Sequence, residues 1–386
     1  MIRRLRNFRR SVRASLKERR LACEQARYRR LFTARNLSVP SESEILLRSQ
    51  IKFPHQRPKN KGALNILSIY HDYNWEGPSI GPSLAAFGQV RHIDWYGLAA
   101  LQGGQYADSS WMEKMHTMLL TTARHWSREQ AFDVIFTYLS GEQATPKLML
   151  GLRELKAPIV NLALNDKELF VGKVRRGHAA GSRDISQYFD LCWTSTEDAL
   201  EKYVVEGATP LYLPEGANPG VHKPYAEDKI YDVSFVGQCY GNRPEVVSRL
   251  RDAGIQVETF GPGWPSGPLS AEEMVRTWSR TRINLGFGGV LGFKKTFCLK
   301  GRDFEIPMSG GLYLTEHHQE LTSFYDVGRE IVSYTDFDDL TQKIRWLLDN
   351  PEQAESIRQA GYERARREHS WEGRFEKVFR MLGVLT

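Results

Sequence analysis

The chain has 386 residues, 41% of them hydrophobic and 26% charged. That composition excludes a disordered or fibrous polymer and leaves room for two domains, each with its own core. The net charge of +7 is held unevenly: residues 1–35 carry thirteen Arg or Lys against two Glu, which leaves the rest at −4, so a nucleic-acid partner, which needs cations spread over a folded face, is not expected.

From Met1 to about Arg35, Leu5, Phe8, Val12 and Leu16 recur at spacings of three and four between arginines. This is one apolar stripe of a basic amphipathic helix. Such a helix either lies on an anionic membrane surface, each cation adding about 1 kcal/mol, or packs on its own domain with Arg stems over apolar atoms. Peripheral attachment at the cytoplasmic face is the expectation. No apolar run in the sequence approaches the ~20 residues that span a bilayer, and no secretory signal is expected. Cys23, Cys192, Cys239 and Cys298 lie far apart without a C-x-x-C pair, which points to a reducing, cytoplasmic compartment and away from a zinc cluster.

Residues 36–62, polar and interrupted by Pro40, Pro54 and Pro58, read as a linker. From 63 to 224 the pattern alternates. A buried strand Leu64–Tyr70 is followed by His71-Asp72, a helix from Ser79 to Phe87 and a strand near Val90 to Trp95. Then come a helix from Trp111, a strand Phe132 to Tyr138, a helix from Pro146, and a strand Pro158 to Leu164 ending at Asn165-Asp166. A strand Leu191 to Thr194, a helix Glu197 to Glu206 and a strand Pro210 to Pro214 complete it. Alternation of this kind specifies a parallel, doubly wound sheet. The stretch 214–224, rich in Pro and Gly, reads as a hinge.

The alternation restarts over 225–370: a strand Tyr231 to Val236, a loop Gly237 to Arg243, a helix from Pro244 and a strand Val257 to Phe260 closed at Trp264. Further on come a helix Glu272 to Arg280, strands Ile283 to Phe287 and Glu330 to Tyr334, and helices Phe337 to Asp349 and Pro351 to His369. Residues 371–386 form a last helix. Ligands of such sheets bind outside the carboxyl ends of the strands. Glycines between a strand and a helix let backbone N–H groups approach phosphate, so Gly237 and Arg243 are candidates. The spacing is not G-x-G-x-x-G, which argues against a dinucleotide dehydrogenase. Trp264 either stacks on a base or fills the core. Asp336-Phe337-Asp338 reads as a helix cap rather than a metal motif. No cluster has metal-ligand spacing, and neither metal nor cofactor is expected. In the first domain His71, Asp72, Glu142 and Asp166 follow strands and are candidates to bind a substrate hydroxyl or take its proton.

The stretch Cys298 to Glu316 puts Lys300 and Arg302 beside Glu305, ahead of Gly310-Gly311 and a strand Leu312 to Leu314. The cations suit phosphate oxygens, and an ionised Glu accepts hydrogen bonds from vicinal ribose hydroxyls. Equally, the Glu serves a helix dipole in its first turn and the glycines cap its end. The run R-D-F-E-I-P-M-S-G-G-L-Y-L-T-E, with E-I-V-S-Y-T-D-F-D-D-L after a gap, resembles the C-terminal half of the CgeB-like group of glycosyltransferases. That group is similar to the family 4 retaining enzymes of GT-B fold. The resemblance covers the chain from about Tyr231 onward and the first half loosely.

The resemblance implies two doubly wound Rossmann-like domains facing a cleft, the first for an acceptor and the second for a nucleotide sugar. It implies that Glu305 holds the ribose and that nearby basic residues hold the diphosphate. With Gly237, Arg243, Lys300, Arg302, Gly310 and Gly311 these form the expected donor set. Phe297 stands eight positions before Glu305, where family 4 enzymes usually carry a second Glu against the transferred sugar. The last helix is implied to cross back onto the first domain. The expected activity is metal-independent, retaining transfer from a nucleotide-diphosphate sugar, a UDP-sugar foremost, to an envelope, polysaccharide or lipid-linked acceptor. A nucleotide-sugar 2-epimerase and a non-catalytic sugar-binding scaffold are the alternatives.

Overall fold

The computed structural model describes residues 2–100 and 110–386, with side chains from Val12 to Leu98 and from Ser110 onward. These residues form two compact units. One comprises Cys23–Pro214 with Glu372–Thr386, the other Met1–Ala22 with Glu215–Trp371.

The first unit is built on six parallel strands: β1 (Leu64–Tyr70), β2 (Gly88–Asp94), β3 (Val134–Thr137), β4 (Ile159–Ala163), β5 (Leu191–Thr194) and β6 (Pro210–Tyr212). Their order across the sheet is β2-β1-β3-β4-β5-β6. All seven residues of β1 are buried, as expected of a parallel sheet covered on both faces. On one face Met115, Leu119 and Ala123 of the helix Trp111–Glu129 join Leu67, Ile135 and Ile159 in the core. On the other, Phe375 of the helix Trp371–Met381 meets Phe136 and Trp193 edge-on, with ring centroids 5.2 and 5.4 Å apart.

Residues 36–62 are not simply a linker. They contain the helix Glu42–Lys52, started by a capping box in which Ser41 and Glu44 bond each other's backbone N–H. The hairpin Val174–Arg175 with His178–Ala179 and the short helix Trp95–Ala100 also lie beyond the sequence expectation.

The second unit holds β7 (Tyr231–Val236), β8 (Val257–Phe260), β9 (Thr281–Leu285), β10 (Tyr313–Glu316) and β11 (Val332–Tyr334). They are parallel in the order β8-β7-β9-β10-β11. Strand order reverses between β7 and β9, and such a switch point is where open sheets take ligands. The unit begins at Glu215, ahead of the expected boundary at 224. The reason is backbone pairing: Ala217 N–H donates to His369 O at 2.8 Å and Trp371 N–H to Ala217 O at 3.0 Å. At Gly216 a Cβ would stand 2.6 Å from Trp371 N, so the pairing requires glycine. Most of the stretch expected to be a hinge is thus integral to the second unit.

The basic tail forms one helix, Ile2–Ala34. Within the first unit Tyr28 Oη donates to Glu206 at 2.6 Å, Lys202 reaches Glu24 at 2.7 Å and Arg35 bonds Val205 O at 3.0 Å. Val12 and Leu16 of the apolar stripe are 43% and 50% exposed; the side chains of Leu5 and Phe8 lie outside the described residues. Among the described residues no helix is long and apolar enough to cross a membrane.

Candidate functional site

In the second unit the loop after β7 is shaped by close backbone approach. Gly237 N–H donates to Phe260 O at 2.8 Å, and Gly237 O accepts the Trp264 indole N–H at 2.8 Å. A Cβ at Gly237 would stand 2.8 Å from the Phe235 ring and 3.2 Å from Arg302 Nη1, and one at Gly261 only 2.4 Å from Gly237 O. Trp264 therefore spends its polar group on holding this turn and packs edge-on against Phe235.

Arg302 lies in the first turn of the helix Gly301–Met308, directly against Gly237. Among the described residues its guanidinium has no hydrogen-bond or ion-pair partner. Lys300, the residue before the helix, contacts the Cys298 sulfur at 2.8 Å. Burial opposes its charge, but the Cys298 sulfur and the Glu215 carboxyl hold its pKa above the ordinary lysine value. Two cations and a helix N-terminus thus meet a glycine turn, an arrangement that attracts phosphate oxygens. Arg243 is buried rather than solvated. It donates to Gln238 O at 2.9 Å and lies under the Tyr240 ring at 4.0 Å. Burial, and then Arg302, depress its pKa. It braces the loop from within and adds to its positive potential.

Glu305 sits in the second turn, not the first. The first-turn acid is Asp303, which accepts Tyr313 Oη and Lys300 N–H, both at 2.6 Å. Burial raises the Asp303 pKa to about 6. Glu305 lies against Gly301 and 3.9 Å from His222 Nε2. His222 is buried, accepts from Asn218 N–H at 3.1 Å, and has its pKa lowered by that burial. Beside them Glu215 has one buried carboxyl oxygen without a hydrogen-bond partner. Burial, and then Glu305, push its pKa up to about 8. Glu215 and His222 were not singled out in the sequence, because they fall in the stretch that reads as a hinge.

Gly310 and Gly311 lie at the opposite end of the same helix, about 12 Å away for eight residues. Both are buried, and Gly310 has φ +69° with its carbonyl accepting from Arg358. They terminate the helix and are not brought together with the cations. Asp336 is the cap expected of it, accepting from Asp338 and Asp339 N–H at 3.0 Å each.

The first unit has a cavity of about 400 Å³ at the carboxyl ends of its strands, lined among others by His71, Tyr73, Trp95, Tyr138, Glu142 and Asp166. His71 Nδ1 lies 3.0 and 3.2 Å from the two oxygens of Asp94, at the end of the neighbouring strand β2. Asp94 also accepts from Tyr96 and Gly97 N–H. This fixes the ring and leaves Nε2 as its other functional atom. Asp166 is different. Its two oxygens take Ser182 Oγ at 2.7 Å and Tyr203 Oη at 2.6 Å, and burial raises its pKa. It is built into the wall and is poorly placed to accept a substrate proton. Asp72 is exposed, does not line the cavity, and its carboxyl lies beside Gly77 in the first turn of the next helix.

Residues 243–380 match the model of a family described as Glycosyl transferase-like. No curated protein matches the chain. Solved structures share its architecture: the sucrose-phosphate synthase of Thermosynechococcus elongatus is 12% identical, with a TM-score of 0.57 over 83% of this chain and 99% of that one. The fold is of the GT-B type. A glycosyltransferase from Rickettsia africae gives a TM-score of 0.57 at 10% identity, over 84% of this chain and 98% of that one. Anabaena HepE, in complex with UDP and glucose, gives 0.54 at 9% identity, over 84% and 100%. Two parallel Rossmann-like units are common to this glycosyltransferase fold, and residues 243–380 carry the signature of a transferase enzyme.

Proposed function

We propose that the protein transfers a sugar from a nucleoside-diphosphate donor, as a member of the CgeB-like group, to a hydroxylated acceptor of glycan or lipid-linked type. The observation that carries this reading is the Arg302 guanidinium facing Gly237 at a helix N-terminus, over the Phe235 ring but with no hydrogen-bond or ion-pair partner among the described residues, with Lys300 beside it. Charge building on a departing diphosphate is stabilised by such preorganised cations without need of a metal. Glu305, in the adjoining carboxylate cluster, is the acceptor for ribose hydroxyls. UDP is the favoured nucleotide, because HepE, of like fold, has been solved with UDP and with UDP-glucose.

The first-unit cavity is the place for the acceptor. Retention, which the CgeB-like resemblance implies, needs no separate base, and His71 then only holds the acceptor hydroxyl. The Asp94-oriented ring favours a second course, in which His71 takes the proton and the product is inverted. The anomeric configuration of the product, read by NMR, decides between them.

A thermal-shift series with UDP, GDP, CDP and dTDP tests the donor assignment, since a ligand that binds the folded state raises its melting point. UDP should give the largest shift, and Glu305→Ala should reduce it; equal shifts in both proteins would remove Glu305 from the site. The helix Ile2–Ala34 is the proposed contact with an anionic membrane surface, at the cytoplasmic face. Its exposed Val12 and Leu16 leave apolar atoms open to lipid. Deleting residues 1–16 should abolish sedimentation with anionic vesicles, and undiminished sedimentation would end that idea.

A further inference from the structure

Within the second unit, the loop that follows β9 presents a row of donors to a single anion. Lys294 N–H and Lys295 N–H both donate to Glu18 Oε1, at 2.8 and 2.7 Å, and Thr296 Oγ donates to Glu18 Oε2 at 3.0 Å. Successive backbone N–H groups with a hydroxyl make an anion-binding concavity of the kind that holds phosphate elsewhere. Here a carboxylate from the N-terminal helix fills it. Glu18 is one of only two acidic residues among the first 35, in a segment with thirteen cations. Burial alone would raise its pKa, but the bonds from Lys295, Lys294 and Thr296 hold it below the ordinary range. Lys17 anchors the same turn of helix by lying over the Phe293 ring, 5.4 Å from its centroid.

The loop belongs to the donor face of the sheet. It leaves β9 beside the switch point, where Gly289 N–H donates to Glu316 at 2.9 Å, and it runs into Lys300 and Arg302. Resting on the donor assignment above, we propose that the Lys294–Thr296 turn is an anion-binding site for a phosphate or carboxylate group of the nucleotide sugar. In the free protein Glu18 occupies it and must leave for that group to bind. The helix is thereby an internal competitor of the donor. A site blocked in most molecules has its apparent affinity lowered by the open fraction.

Calorimetric titration of the full chain with UDP, UDP-glucose and UDP-glucuronate tests this, on wild type, Glu18→Ala and Glu18→Ala/Thr296→Val. Alanine keeps the helix, so fold loss does not enter. If the turn is open in about a tenth of molecules, Glu18→Ala tightens binding about tenfold. A gain for all three ligands assigns the site to the diphosphate, and a gain for UDP-glucuronate alone assigns it to a sugar carboxylate. Adding Thr296→Val should reverse part of the gain. Ligands that bind wild type and Glu18→Ala equally would overturn the inference and leave the donor assignment standing. Ligands that bind neither protein would overturn the donor assignment, and the inference with it.

Discussion

The two sheets share a strand order over their first five strands, yet the mouths of the two differ in how charge is treated. At the mouth of the first, Asp94 is engaged by His71 and two backbone N–H groups, and Asp166 by two hydroxyls. At the mouth of the second, among the described residues Arg302 has no hydrogen-bond or ion-pair partner and one Glu215 oxygen lacks a donor, while Lys300 faces a thiol. A buried polar group left without a partner costs about 1–3 kcal/mol, more if charged. A fold keeps such groups where a ligand will complete them. The satisfied mouth suits an uncharged, hydroxylated molecule, and the unsatisfied one suits a molecule that brings its own anions and hydroxyls.

The comparison breaks most visibly if His71 matters to the donor or Arg302 to the acceptor. Should His71 take the acceptor proton, His71→Ala lowers kcat about 10²–10⁴-fold while UDP affinity stays as it was; initial rates beside calorimetry report both. Arg302→Ala should act on the other side alone. Losing hydrogen bonds to a charged phosphate, about 1.5–3 kcal/mol, weakens UDP about ten- to a hundredfold. A change in acceptor KM with intact UDP affinity would contradict the division of labour.

The smallest effect sharpens the contrast in a measurement of stability. Glu215 has a pKa of about 8 in the folded protein against 4.5 unperturbed. Between those values the folded chain holds the extra proton, so stability falls as pH rises through that window and levels off above it. Glu215→Gln removes the cost. Its melting point should exceed wild type by a few degrees at pH 8 and by little at pH 5, in scanning calorimetry.

What the sequence reveals follows the same line. The strand Leu64–Tyr70 is legible because burial on both faces makes it a short, largely apolar run. Asp336 is legible because capping is local. The helix Glu42–Lys52 carries its own signal, Ser41 three residues before Glu44, overshadowed by the surrounding prolines. Glu215 and His222 are hidden by composition, since Pro and Gly around them read as a joint rather than a site. The pairing of Glu18 with Lys294 spans 276 positions, and no periodicity or spacing reports a contact of that range.

The bonding of Ala217 to His369 and Trp371 has a further consequence. It draws the two ends of residues 215–371 together, so that this length of chain begins and finishes at one spot. Segments with adjoining termini transplant readily between hosts. Residues 215–371 are accordingly laid out as a cassette, a length of chain that a gene could acquire, lose or exchange in a single event.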